Sequence, residues 1–189
     1  MNNIVLKDDR KQSRILLQCF VLNVIYLILM ITVFQPFISS DDYAQTNTLY
    51  GAWSGEYDYQ CIYSSWIYGK LVVFFLELFP HIAWYTVLFY AWCFIAFWLF
   101  TAYLLRQCRT PMMFGFINVF LLYFTYEAYV CVQFTKCSAI VGVIGIFFIL
   151  QKNAWNWEKV IGVALVFLCC IIRYDNYTLV SYGSLILVV

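Results

Sequence analysis

The chain has 189 residues, 65% of them apolar and 22% aromatic, with 11% charged and a formal net charge of +1. So few charged side chains cannot clothe a water-soluble domain of this size, and a charge so close to zero leaves no basic field to attract nucleic acid. Helices close every backbone hydrogen bond within a lipid phase, and the short alternating segments of a β-barrel are missing, so the composition predicts an all-α, polytopic transmembrane bundle.

In chain order, residues 1–14 form a basic leader carrying Lys7, Arg10, Lys11 and Arg14. Residues 15–34 are an unbroken apolar run of bilayer-spanning length. The run exceeds a signal-peptide core, and Gln35-Pro36-Phe37-Ile38 offers no small-x-small cleavage site, so it reads as a retained anchor. Residues 35–81 are expected to be an extracytoplasmic loop with interfacial helices. Within it Ser39 and Ser40 can cap a short helix over 41–53, with Asp41 and Asp42 at its positive end. The apolar segment 66–79 is too short to span and should lie along the interface or re-enter the bundle. Residues 82–189 hold the further spans: 82–105, 111–130, 137–150 and 160–172, with a sixth run begun at 177–189. About five complete spans are expected in a single integral-membrane domain, 1–189, and an end inside an apolar run reads as a truncation.

Orientation follows from the basic residues, which cluster at the cytoplasmic ends of spans. With 66–79 excluded as a span, Lys7, Arg10, Lys11, Arg14, Arg106, Arg109, Lys152 and Lys159 share one side, 8 of the 11 Lys and Arg. That side is expected to be cytoplasmic, with the N-terminus. The opposite side collects Asp41, Asp42, Glu56, Asp58, Glu127 and Asp175, together with Lys70, Lys136 and Arg173.

The adjacent carboxylates Asp41 and Asp42 are the strongest candidates for chemistry. Two like charges at one loop entrance suit a general base or a divalent-cation ligand set; a doubly acidic helix N-terminus is the structural alternative. Arg173 stands near the outer boundary, where a guanidinium can take a phosphate bidentately, pair with Asp175 or snorkel. Lys136 has the same readings. Lys70 and Glu77 lie seven positions apart on one helical face and, with Asp175, are supporting candidates. Glu127 either caps a span or lines a cavity. His81 reads as interfacial, and the aromatic clusters at 63–68 and 84–92 as a membrane belt, with sugar stacking as the other use of such rings. The eight Cys lack metal spacing and read as small core hydrophobes. Asn176-Tyr177-Thr178 matches a glycosylation sequon. Walker, G-x-S-x-G and H-E-x-x-H signatures are absent.

Ser39-Ser40-Asp41-Asp42-Tyr43, the turn from Gly51 to Gly55, Trp66-Ile67-Tyr68-Gly69-Lys70, Gln133-Phe134-Thr135-Lys136 and Ile172-Arg173-Tyr174-Asp175 together resemble the N-terminal portion of bacterial polytopic glycosyltransferases of the GT-C type. The resemblance implies transfer of a sugar from a polyprenyl-phosphate donor to a cell-surface glycan or lipid acceptor on the outer face of the cytoplasmic membrane. It implies Asp41 and Asp42 as catalytic base or metal contact, with Mg or Mn as the cofactor such a site takes, and Arg173 and Lys136 facing the donor phosphate. Two rivals stay open: a transporter or flippase of lipid-linked saccharide, and a non-catalytic or degenerate membrane fragment.

Overall fold

A computed structural model describes residues 2–108, 110–152 and 156–188, and side chains from 12 to 183 within those limits. Arg109, the side chains of Lys7, Arg10 and Lys11, and the side chains at the end of the sixth run lie outside the described residues. The fold is all-helical, an α-bundle with one two-residue strand pairing. The elements are α1 Asn2–Val33, β1 Phe37–Ile38, α2 Ser40–Leu49, α3 Trp66–Leu78, α4 Trp84–Gln107, α5 Pro111–Tyr129, β2 Cys131–Val132, α6 Phe134–Leu150, α7 Asn156–Ile172 and α8 Tyr174–Val188. The leader is therefore not a separate segment, since α1 runs through it into the first apolar run.

Local chemistry sets the helix starts. Ser39, Ser65 and Thr110 each accept from a backbone N–H of the following first turn, at Asp42, Tyr68 and Met113, and Pro111 occupies the start of α5. The helix expected over 41–53 stops at Leu49. Gly51 adopts φ 70°, and a Cβ there would meet the Glu56 carbonyl oxygen at 2.3 Å, so the chain must leave the helix to make this turn. Helices α6, α7 and α8 begin three or four residues earlier than the apolar runs indicate, because Phe134, Asn156 and Tyr174 already carry helical backbone. Lys136 consequently sits in the first turn of α6.

Helices α1, α4, α5, α6, α7 and α8 alternate in direction. The Asp42 end of the bundle gathers the end of α1, the starts of α4, α6 and α8, and the ends of α5 and α7. Arg106, Lys152 and Lys159 fall at the opposite end, called here the Arg106 end. The most extensive packing is α6 on α7, where Gly145 and Gly162 bring the backbones together. A Cβ on either glycine would lie 2.8 Å from the other's carbonyl oxygen. Polar bonds moor α1: Asn23 Nδ2 donates to Thr101 Oγ1 at 3.3 Å, Tyr26 OH to Asn118 Oδ1 at 3.0 Å, and Trp98 Nε1 to the Leu16 carbonyl at 2.8 Å. The core between the helices is aromatic: Tyr68 stacks parallel on Phe89 at 5.4 Å and meets Tyr85 edge-on.

Gln12–Val33 and Trp84–Gln107 are long and apolar enough to cross a membrane, with mean hydropathy 2.4 and 1.9. Only 17% of the most apolar window of Gln12–Val33 is buried against the rest of the chain. Leu17, Val21, Ile25, Ile28 and Val33 on α1, Met112, Phe116 and Val119 on α5, and Val160, Val163 and Phe167 on α7 are all exposed.

Candidate functional site

The site is built where the loop after α1 meets the start of α6. Strand β1 pairs in parallel with β2, Phe37 opposite Cys131 and Ile38 opposite Val132, and Phe37 N donates to the Val130 carbonyl at 2.9 Å. This short ladder lays the beginning of α2 against the first residue of α6. Asp42 is fully buried there. Its Oδ1 accepts from Tyr85 OH at 2.7 Å and from the Phe134 backbone N–H at 2.9 Å, and its Oδ2 accepts from the Ser39 hydroxyl at 2.5 Å. One carboxylate thus ties α2, α4 and α6 together. Burial pushes the Asp42 carboxyl above its ordinary value, outweighing the three donors that act in the other direction, and the neighbouring Asp41 adds to the rise.

Asp41, one residue earlier, is exposed. The two carboxylates therefore do not act as a pair: one faces solvent and the other is closed by internal donors. Among the described residues no group of three or more His, Cys, Asp or Glu side chains could hold a metal ion. Both Asp42 oxygens are taken by internal donors, so of the acidic dipeptide only Asp41 is open to a Mg or Mn ion. The loop thiol offers no nucleophile either, because burial and the Asp58 carboxylate push Cys61 up to about 12.

Phe134 is the hub. While its N–H holds Asp42, its buried ring carries Arg173, whose guanidinium carbon lies 5.1 Å from the ring centroid, and Tyr63, stacked at 5.9 Å and 15°. Arg173 also donates to the Thr135 hydroxyl, while the Asp175 carboxylate stands off at 3.7 Å and is largely exposed. The local Arg173–Asp175 pairing is thus the weaker contact. Lys136 does pair locally, at 2.5 Å with Glu127, which gives Glu127 its place at the end of α5. Both side chains of that pair keep about a third of their surface open, 35% and 28%.

The remaining candidates fall elsewhere. Lys70 and Glu77 share the exposed face of α3, with the Lys70 ammonium over the rings of Trp66 at 4.5 Å and Tyr59 at 5.2 Å; this places them apart from the Asp42–Arg173 group. The sequon is corrected: Asn176 is buried, and its Nδ2 donates to the Thr135 carbonyl at 2.7 Å and the Ser138 hydroxyl at 3.1 Å, so the amide that glycosylation requires is engaged in packing α8 on α6. Cys19, Cys93, Cys137 and Cys169 are buried, while the other four are only partly so.

Several participants escape a reading by sequence. Ser39-x-x-Asp42 carries a capping signal, but Tyr85 is one of 16 tyrosines and Thr135 one hydroxyl among many; no spacing marks them. Gln45, one turn beyond Asp42, is fully buried with neither amide atom bonded among the described residues. A cavity of about 860 Å³ lies between α6 and α8, lined by Ala139, Val143, Phe147, Leu150 and Leu179, with Asn176 and Gln151 also in its wall.

No family model, curated protein or solved structure matches this chain.

Proposed function

We propose that the chain is the N-terminal portion of a multi-pass membrane glycosyltransferase using a polyprenyl-phosphate-linked sugar, with α1, α4, α5, α6, α7 and α8 as membrane helices and α3 lying at the interface. The uncovered apolar surface of α1, α5 and α7 supports the membrane placement, because in water such a belt would drive aggregation. The basic residues at the Arg106 end support a cytoplasmic N-terminus and an Asp42 end on the outer face of a bacterial cytoplasmic membrane.

The observation that carries the reading is the convergence on Phe134. The acidic loop is bonded through Asp42 to its N–H and the guanidinium rests on its ring, which supports reading the exposed Asp41 and a phosphate-competent cation as parts of one site. Asp41 takes the proton of the acceptor hydroxyl, the acceptor oxygen bonds to the anomeric carbon, and the bond from that carbon to the phosphate oxygen breaks. The leaving polyprenyl phosphate carries the electron pair, and Arg173 meets its charge, joined by Lys136 on release from Glu127. Asp42 is the positioning residue that fixes the loop. The apolar cavity beside α8 has room for part of the donor's chain.

The test is transfer of labelled sugar by membranes bearing the intact gene. Asp41→Asn and Arg173→Gln are each expected to lower transfer at least about a hundredfold, with protein levels unchanged. Undiminished transfer in both variants, or movement of the lipid across the membrane with no glycosidic bond formed, would overturn the proposal.

A further inference from the structure

We propose that Tyr63 stacks against the sugar ring of the donor, and so contributes to which sugar is accepted; this rests on the polyprenyl-phosphate reading above.

Two independent contacts hold this ring beside the cation. Its parallel stack on Phe134 joins it to the residue that carries Arg173. Two residues further on, Ser65 N donates to the Ile171 carbonyl at 3.2 Å, pinning the same loop to the end of α7 just before Arg173. Phe134 is buried, but Tyr63 is 48% exposed, so part of a supported ring stays open on the same phenylalanine that carries the phosphate-competent guanidinium. In a sugar phosphate the ring is one bond removed from the phosphate. A ligand whose phosphate reaches Arg173 therefore brings its sugar within reach of a side chain at the position of Tyr63. The C–H face of a sugar is apolar and weakly positive, and an aromatic face is apolar and weakly negative, which makes the two complementary. The exposed Trp66, by contrast, is already engaged by Lys70. If Tyr63 were only an interfacial anchor, it would be indifferent to the presence of a sugar.

The full chain in lipid nanodiscs is titrated with bare polyprenyl phosphate and with polyprenyl phosphates carrying glucose, galactose, mannose or arabinose, by displacement of a fluorescent polyprenyl phosphate. The wild type is expected to bind at least one glycosylated lipid about five- to tenfold tighter than the bare lipid. Tyr63→Leu, which keeps apolar cover on Phe134 but has no ring, is expected to lose most of that gain while holding bare-lipid affinity within about twofold. Tyr63→Phe and Tyr63→Trp should retain the gain. Equal weakening toward bare and glycosylated lipid, an unchanged gain in Tyr63→Leu, or no gain in the wild type for any of the four sugars overturns the inference. If the wild type binds bare polyprenyl phosphate and Arg173→Gln weakens it, the donor reading survives such a failure. If bare lipid is not bound at all, both fall.

Discussion

At the Arg106 end of the bundle a guanidinium and a buried carboxylate neutralise each other, whereas at the Asp42 end the Arg173 guanidinium is held mainly by neutral groups and its carboxylate partner is distant and exposed. Arg106 donates to Glu158 at 2.6 Å, with Glu158 only 1% and Arg106 16% exposed, and the guanidinium rests over Tyr103, whose hydroxyl donates to Gln151 at 3.1 Å. That cluster joins α4 to α7. At the other end Asp42 spends its acceptors on neutral donors, Asp41 stays in solvent, and Arg173 is held by a hydroxyl and an aromatic face, with its nearest carboxylate at 3.7 Å. A cation positioned by neutral groups keeps its charge for something else, while a cation matched to a buried carboxylate does not. The contrast separates a structural clasp from a candidate site built from the same residue types.

The contrast can be broken in stability measurements, starting with the largest effect. Glu158→Leu removes the carboxylate matched to a largely buried guanidinium and is expected to cost about 3–5 kcal/mol, read as a lowered thermal midpoint in detergent; adding Arg106→Met should restore most of it. A single variant as stable as the wild type would show that the clasp is not structural. Asp42→Ala leaves the Tyr85 hydroxyl and the Phe134 N–H without their acceptor and should cost about 2–4 kcal/mol, while Asp42→Asn, which can still accept both, should cost about 1 kcal/mol.

The pH dependence of Asp42 has a defined sign. Because its carboxyl titrates above its ordinary value in the fold, its contribution is complete below the unfolded value and is lost as pH rises through the folded one. Protection of the α2 amides relative to their intrinsic exchange rates should therefore rise on acidification across the upper carboxylate range, and Asp42→Asn should flatten that response. Greater protection at higher pH would contradict the sign.

Gly145→Leu, at the glycine contact that joins α6 to α7, should cost about 1–3 kcal/mol and loosen both ends together. Smallest in stability are Arg173→Gln and Asp41→Asn, each expected within about 1 kcal/mol of the wild type by thermal midpoint, since both side chains are at least partly exposed. A large loss in either would turn the open end into a second clasp.

Apolar run length alone located α1, α3, α4 and α5 to within a few residues of the observed ends, apart from the helical leader, and capping chemistry at Ser39 was legible because it is local. The early starts of α6, α7 and α8 were not, since Thr135, Lys136, Asn156 and Asp175 are polar residues that a hydropathy reading assigns to loops. The glycines at 51 and 55 mark a turn in the sequence, but the end of α2 at Leu49 depends on how close Glu56 comes to Gly51.

What the sequence determined by itself is the all-helical class, the positions of the apolar segments, and the concentration of carboxylates near one set of helix ends. These follow from periodicity, length and composition, which are properties of neighbouring residues. Only the tertiary structure decided that Asp42 turns inward while Asp41 does not, that Lys136 belongs to Glu127, that Asn176 is bonded within the bundle, and that Phe134 joins residues 42, 63 and 173. The longest of those direct pairings, Asp42 with Phe134, spans 92 positions of chain, and a hydrogen bond or ring contact depends on distance in space, which local sequence pattern does not encode.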